Sequence, residues 1–314
     1  MRHGASWLLA AALLLTGCSD AADPAPEPTP EAAPVVTAYD PTLEPAAAVL
    51  SLVPAEATYL EVTDFDQLRL TLGFGDGPSS EEERQRFWRA VDGAATFSRG
   101  MLRPAEVRLR ELGIGQDDVV WEARWSGGAE GWVMALHERV RAGAVRRAVA
   151  QGVGVLDGAR YDARRRLVLS TAPPDGAASW AAEPAVTGLV GQPANATYVE
   201  RGCLAFDDVF GAGMEDRLAA APRAELDALD PLGAYAVSFG PDLVTVRLGD
   251  ARSDAFARLR IHELLPQTEP EFGRVFSRGV SDPSTGRLGY DVERPRAAVR
   301  LTTGRRLPFA LCSD

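Results

Sequence analysis

One seven-residue segment occurs twice in this chain and constrains the fold more than any other feature. Ala55-Glu56-Ala57-Thr58-Tyr59-Leu60-Glu61 returns as Ala194-Asn195-Ala196-Thr197-Tyr198-Val199-Glu200. Both copies alternate apolar and polar residues, the pattern of a half-buried strand. The residues that follow also correspond, Asp64-Phe65-Asp66 being echoed by Ala205-Phe206-Asp207-Asp208. In the first half, Ser80 and Glu83 have capping-box spacing ahead of Phe87, Val91, Ala94 and Ala95. That spacing predicts an amphipathic helix to about Phe97. A shorter helix is expected from Pro104 to Gly113. A hairpin is expected over 119–137, with Trp121, Ala123 and Trp125 on one face and Glu122 and Arg124 on the other. A helix near 141–151 and β-type sequence through Leu167-Val168-Leu169 complete the half.

The second half keeps this order. Ala234 to Phe239 and Leu243 to Leu248 flank a Gly240-Pro241-Asp242 turn. A helix should start near Ser253 or Asp254 and run to Leu265, stopped by Pro266. Strands are expected at 287–293 and 297–302. Strand, helix, hairpin, helix and strands in each half is the order of a split β-α-β unit. The expected fold is therefore α+β: two similar lobes of antiparallel sheet covered by helices, lobe 1 over 46–188 and lobe 2 over 189–314. The segment from Ala172 to Pro193, with four prolines among Gly and Ala, is a plausible boundary. A single α+β domain with one continuous sheet is the alternative.

Ahead of the body lie two segments of different character. Arg2 precedes nine apolar residues, Trp7 to Leu15. As a helix these rise about 14 Å, less than half of a bilayer core, so they read as a signal peptide over 1–17 and not as a span. Leu15-Thr16-Gly17-Cys18 follows. This resembles the lipobox of bacterial lipoproteins, the signal peptidase II type of leader. The resemblance implies cleavage before Cys18, a diacylglycerol thioether on its sulfur and acylation of the new amino terminus. Two or more acyl chains give stable attachment where one would not. The membrane partner is then lipid, through acylated Cys18, and the expected location is the extracytoplasmic side of the cell membrane. Residues 18–45 hold prolines at 24, 26, 28, 30, 34, 41 and 45, with six acids and no arginine. Such a run forms no core, favours extended polyproline II and reads as a disordered tether.

Composition narrows the chemistry. The chain has no lysine, so all 33 basic residues are arginine, against 44 acids. Schiff-base, P-loop and Ser-x-x-Lys chemistry are excluded. A net charge of −11 without a basic stripe argues against a nucleic-acid partner. With Cys18 lipidated, Cys203 and Cys312 remain, an even number in an oxidising compartment. A bridge between them is favoured, two free buried thiols being the alternative.

Few residues suggest a reaction. His262-Glu263-Leu264-Leu265-Pro266 begins like a zincin helix but lacks the second histidine, so it reads as a helix C-terminus. His137 and the pairs Asp64/Asp66, Asp117/Asp118 and Asp207/Asp208 read as structural, Asp64 and Asp66 as caps where a strand gives way to a helix. Gly73-Phe74-Gly75-Asp76-Gly77 reads as a turn, and Trp88, Trp121, Trp125 and Trp132 mostly as core. No catalytic, cofactor or metal site is assigned. The arginine-, alanine- and glycine-rich, lysine-free body is similar in composition to uncharacterised lipoproteins of actinomycete-type bacteria. The expected function is a non-catalytic binding or structural role in the cell envelope, toward an unidentified protein or small ligand. The alternative is an extracytoplasmic hydrolase using paired carboxylates on cell-wall glycan.

Overall fold

The computed structural model describes residues 38–75, 80–214, 216, 220–264 and 271–313. The expected signal peptide, Cys18 and the tether as far as residue 37 lie outside the described residues. The strands are β1 (Tyr59–Asp64), β2 (Val119–Ser126), β3 (Gly131–Leu136), β4 (Arg160–Asp162), β5 (Leu167–Leu169), β6 (Ala196–Arg201), β7 (Ala234–Phe239), β8 (Leu243–Arg247), β9 (Phe276–Asp282) and β10 (Arg287–Val292). All ten form one sheet in the order β4-β5-β3-β2-β1-β6-β7-β8-β10-β9, every neighbouring pair antiparallel. The fold is α+β. Read outward from the centre, β1-β2-β3-β5-β4 on one side matches β6-β7-β8-β10-β9 on the other. The repeated segments are the two central strands. Leu60 faces Val199, Tyr59 faces Glu200 and Glu61 faces Tyr198, so the pairing maps onto itself when the halves are exchanged. A pseudo-twofold axis therefore passes between Leu60 and Val199.

The helices are α1 (Pro45–Ala48), α2 (Phe65–Thr71), α3 (Glu81–Gly93), α4 (Glu106–Leu112), α5 (Ala142–Ala150), α6 (Pro184–Thr187), α7 (Phe206–Phe210), α8 (Ala220–Asp227), α9 (Ala255–Leu264), α10 (Phe272–Val275) and α11 (Pro295–Thr303). The two sheet faces are covered differently. Leu60, Val62, Trp125, Leu167 and Val199 point to the face covered by Val49, Leu52 and Val53 after α1 and by Trp180, Val186 and Leu189 around α6. The opposite face carries two separate helical layers. In the first half Met134 and Val168 pack with Phe65, Leu68, Phe87, Val91 and Val145. In the second, Val237, Val246 and Tyr290 pack with Phe272, Leu301 and Phe309. Period-2 alternation on the strands puts each residue type on its face.

Sequence signals account for most boundaries. Ser80 Oγ accepts the Glu83 N–H to start α3, and Gly113 closes α4 at φ 84°, the left-handed region that glycine occupies at no steric cost. Three expectations need correction. Helix α3 stops at Gly93, short of Phe97, because Ala94 turns to extended backbone. Residues 297–302 form α11, not a strand: Pro295 presets the first turn, and Ala297, Ala298, Leu301 and Thr302 bury one helical face. The missing partner of β10 is β9, an edge strand whose middle residues are exposed.

Asp64 caps α2 by accepting the backbone N–H groups of Asp66 (3.0 Å) and Gln67 (2.9 Å). Burial outweighs those bonds and pushes its carboxyl from 3.8 up to about 7. Between those two pH values the folded chain keeps a proton that the unfolded chain releases. Stability therefore falls as pH rises through this window and stays lowered above it. Asparagine caps equally well without the charge. Asp64→Asn is expected to match the wild type near pH 4 and to exceed it at pH 8 by about 1–4 kcal/mol. Urea denaturation at both pH values measures this, and parallel pH profiles for the two proteins would contradict it.

Candidate functional site

Where the two helical layers part, the centre of the sheet carries polar side chains. Register fixes three rows across this face. Arg124, Glu61, Tyr198 and Val237 make one, Ser126, Tyr59, Glu200 and Tyr235 the next, and Glu122, Thr63, Ala196 and Phe239 the third. The loop after α3 crosses over them. Thr63 Oγ1 accepts the N–H groups of Phe97 (3.1 Å) and Ser98 (2.9 Å). The Phe97 ring then packs on Tyr198 and Phe239 of the second half, at centroid distances of 6.0 and 5.7 Å. Beside this loop lies a cleft of about 300 Å³.

The cleft contains two carboxylates in different states. Glu122 is buried, 1% exposed. It accepts hydrogen bonds from the Ser98 hydroxyl, the Met101 N–H (2.9 Å) and the Gln116 amide (2.8 Å). Burial raises its pKa, and those three donors oppose the rise. Its role is to hold the loop. Glu61 is half-buried and, among the described residues, has no hydrogen-bond or ion-pair partner within 4.0 Å. Burial raises its pKa too, opposed by the charge of Arg124. Arg124 stands directly opposite Glu61 in the β1–β2 register, and its side chain is exposed at the cleft.

Exchanging the halves maps Glu61 onto Glu200, and the two environments have diverged. Glu200 is fully buried. It accepts the hydroxyls of Tyr198 (2.7 Å) and Tyr235 (2.5 Å), and Arg305 Nε lies 2.9 Å from its other oxygen. Burial and the Glu200 charge keep both tyrosines protonated. The second half thus closes over its glutamate, while the first leaves its own facing a cavity.

The acids and histidines singled out from the sequence do not converge there. His137, just past β3, places Nε2 3.1 Å from Asp66 Oδ1, and Asp66 also accepts from Arg69 (3.0 Å). Asp117 accepts the Trp88 indole N–H (3.0 Å) and pairs with Arg84 (3.4 Å), whereas Asp118 accepts the Gly115 N–H. Asp207 accepts the Gly213 N–H, and Asp208 lies 3.6 Å from Arg305. His262 sits in the last turn of α9 with Nδ1 3.0 Å from the Leu259 carbonyl oxygen. Among the described residues no three His, Cys, Asp or Glu side chains gather as a metal ion would require. Cys203 and Cys312 are bonded to each other, with Cα atoms 4.9 Å apart. No described helix is long and apolar enough to cross a membrane.

Glu61 and Glu122 escaped the sequence reading because each is the polar partner in a clean alternation, a position that ordinarily faces water. The one available signal was that Glu61 belongs to the repeated segment. No protein-family model matches the chain, and no curated protein or solved structure does either.

Proposed function

We propose that this chain is a lipid-anchored, extracytoplasmic binding protein, held at the membrane by acylated Cys18 and taking its ligand or partner in the cleft over Glu61. The observation that carries the binding reading is the unequal state of the two cleft carboxylates. Glu122 has its oxygens committed to Ser98, Met101 and Gln116. Glu61 is left as a charged docking point with no second free acid to work beside it. A role in holding envelope components together uses the same surface. The disulfide fits an oxidising compartment.

One observation favours glycan hydrolysis as a second reading: Glu61 and Glu122 line the same cleft, and both have raised pKa values. Release of soluble fragments from purified cell wall, abolished by Glu61→Gln, would establish it in place of binding. The anchor is tested separately. Cys18→Ala is expected to move the protein out of the membrane fraction with an unchanged circular dichroism spectrum. Retention in the membrane fraction would contradict it.

A further inference from the structure

From the geometry of the cleft we infer that its ligand is a small zwitterion of the α-amino-acid type with an apolar side chain, the ammonium group bound by Glu61 and the carboxylate by Arg124. This inference rests on the cleft being a binding site. Its starting point is a pair of opposite charges that the fold sets side by side and leaves apart. Glu61 and Arg124 are register partners, so their Cβ atoms stand about 5 Å from each other. Cross-strand partners of opposite sign ordinarily join. Here no nitrogen–oxygen pair of the two side chains closes to within 4.0 Å, and among the described residues neither side chain has another hydrogen-bond or ion-pair partner. Elsewhere arginines of this chain are closely engaged, as Arg69 is with Asp66 and Arg258 with Asp254.

Depth sets the order of the two groups. Glu61 is half-buried beside buried Thr63 and Glu122, whereas Arg124 and Arg99 are exposed. A ligand cation therefore goes in first and its anion stays at the arginine side. A molecule with both charges on substituents of one carbon can meet both side chains at once. A simple amine leaves Arg124 unanswered, and a simple carboxylate meets Glu61 with like charge. The apolar part of the lining comes from Phe97, Met101, Pro104 and Val155, beside the polar Thr63, Ser98, Arg99 and Glu122. That wall suits an aliphatic side chain. The cavity, about 300 Å³, falls at the small end of small-molecule sites.

Three probes with the same isobutyl side chain separate the terms in the wild-type protein: L-leucine, its decarboxylated form 3-methylbutylamine and its deaminated form 4-methylpentanoate. Calorimetric titration is expected to show leucine binding about tenfold or more tightly than either analogue. Glu61→Gln and Arg124→Gln are each expected to weaken leucine by a similar factor while keeping the wild-type circular dichroism spectrum. Arg146→Gln, on the exposed side of α5, should change nothing. Leucine binding no better than both analogues would overturn the inference, as would full affinity in either cleft variant. A screen of small molecules, mapped by chemical shifts of residues 97–101, tells this failure from that of the broader reading. Other compounds entering the cleft while leucine does not would sink the zwitterion alone. A cleft that takes nothing would sink both.

Discussion

Asp254→Ala is expected to lower folding stability by about 3–5 kcal/mol, because it strands the guanidinium of Arg258 in the protein interior. Arg258 has no exposed side-chain surface, and Asp254 is 3% exposed. Arg258 Nε donates to Asp254 Oδ2 at 2.6 Å, Nη1 to the carbonyls of Phe309 (2.9 Å) and Leu311 (2.8 Å), and Nη2 to the Asp230 carbonyl (2.7 Å). One side chain thus ties α9 to the loop before β7 and to the C-terminal segment. Asp254 is itself clamped, accepting from Arg252 Nε at 2.8 Å and Nη2 at 2.7 Å. Burial alone would raise its pKa, but the two arginines more than offset that and hold the carboxyl below its usual range. Its stabilising effect is then present above the carboxylate range of the unfolded chain and fades as pH falls below it. Removing the charge and its counter-ion together, as Asp254→Ala with Arg258→Met, should recover part of the loss. Equilibrium denaturation at pH 7 gives all the terms of the cycle. A single-variant loss under about 1 kcal/mol, or strict additivity, would contradict the account.

The second large effect concerns the same tail from its other side. Replacing Cys203 and Cys312 by serine, or reducing the bridge, is expected to cost about 2–4 kcal/mol. The bond spans a sequence separation of 109 residues. In the chain-entropy view, closing a loop of that order removes up to about 4.7 kcal/mol of freedom from the unfolded ensemble. The native segment is also held by backbone bonds, Leu204 N–H to the Ala310 carbonyl (2.8 Å) and Cys312 N–H to the Leu204 carbonyl (2.9 Å). Phe309 lies among Tyr235, Phe272 and Tyr290. The tail is therefore core, and the reduced protein should remain folded with a lower denaturation midpoint and unchanged secondary structure. Alkylation of both thiols in unfolded, unreduced protein would rule the bridge out.

The central strands and both hairpins were legible because β-type runs stand between clear turn signals, although β6 and β7 are buried on both faces. Strand β9 was not. It is an edge whose Arg278, Gly279 and Val280 are exposed, and no buried face imposes a pattern on it. Helix α11 was misread because Ala-Ala-Val-Arg-Leu-Thr is short enough for either period, and the deciding residue is Pro295 just upstream. The cleft was the least visible part. Alternation places Glu61 and Glu122 on the sheet face opposite Leu60 and Ala123, but it does not say what covers that face. The cover is the loop from Phe97 to Met101, which reaches Glu122 through hydrogen bonds between residues distant in sequence. Likewise, the divergence of Glu61 from Glu200 depends on Tyr235 and Arg305, which come from outside the repeated segment.

The proposed attachment to the membrane through Cys18 is tested most directly by intact-mass analysis of the protein isolated from the cells that make it. The proposal predicts a mature chain that begins at Cys18 and carries the added mass of a diacylglycerol and an amide-linked acyl group. A chain that retains Met1, or a Cys18 with a free thiol, would contradict it.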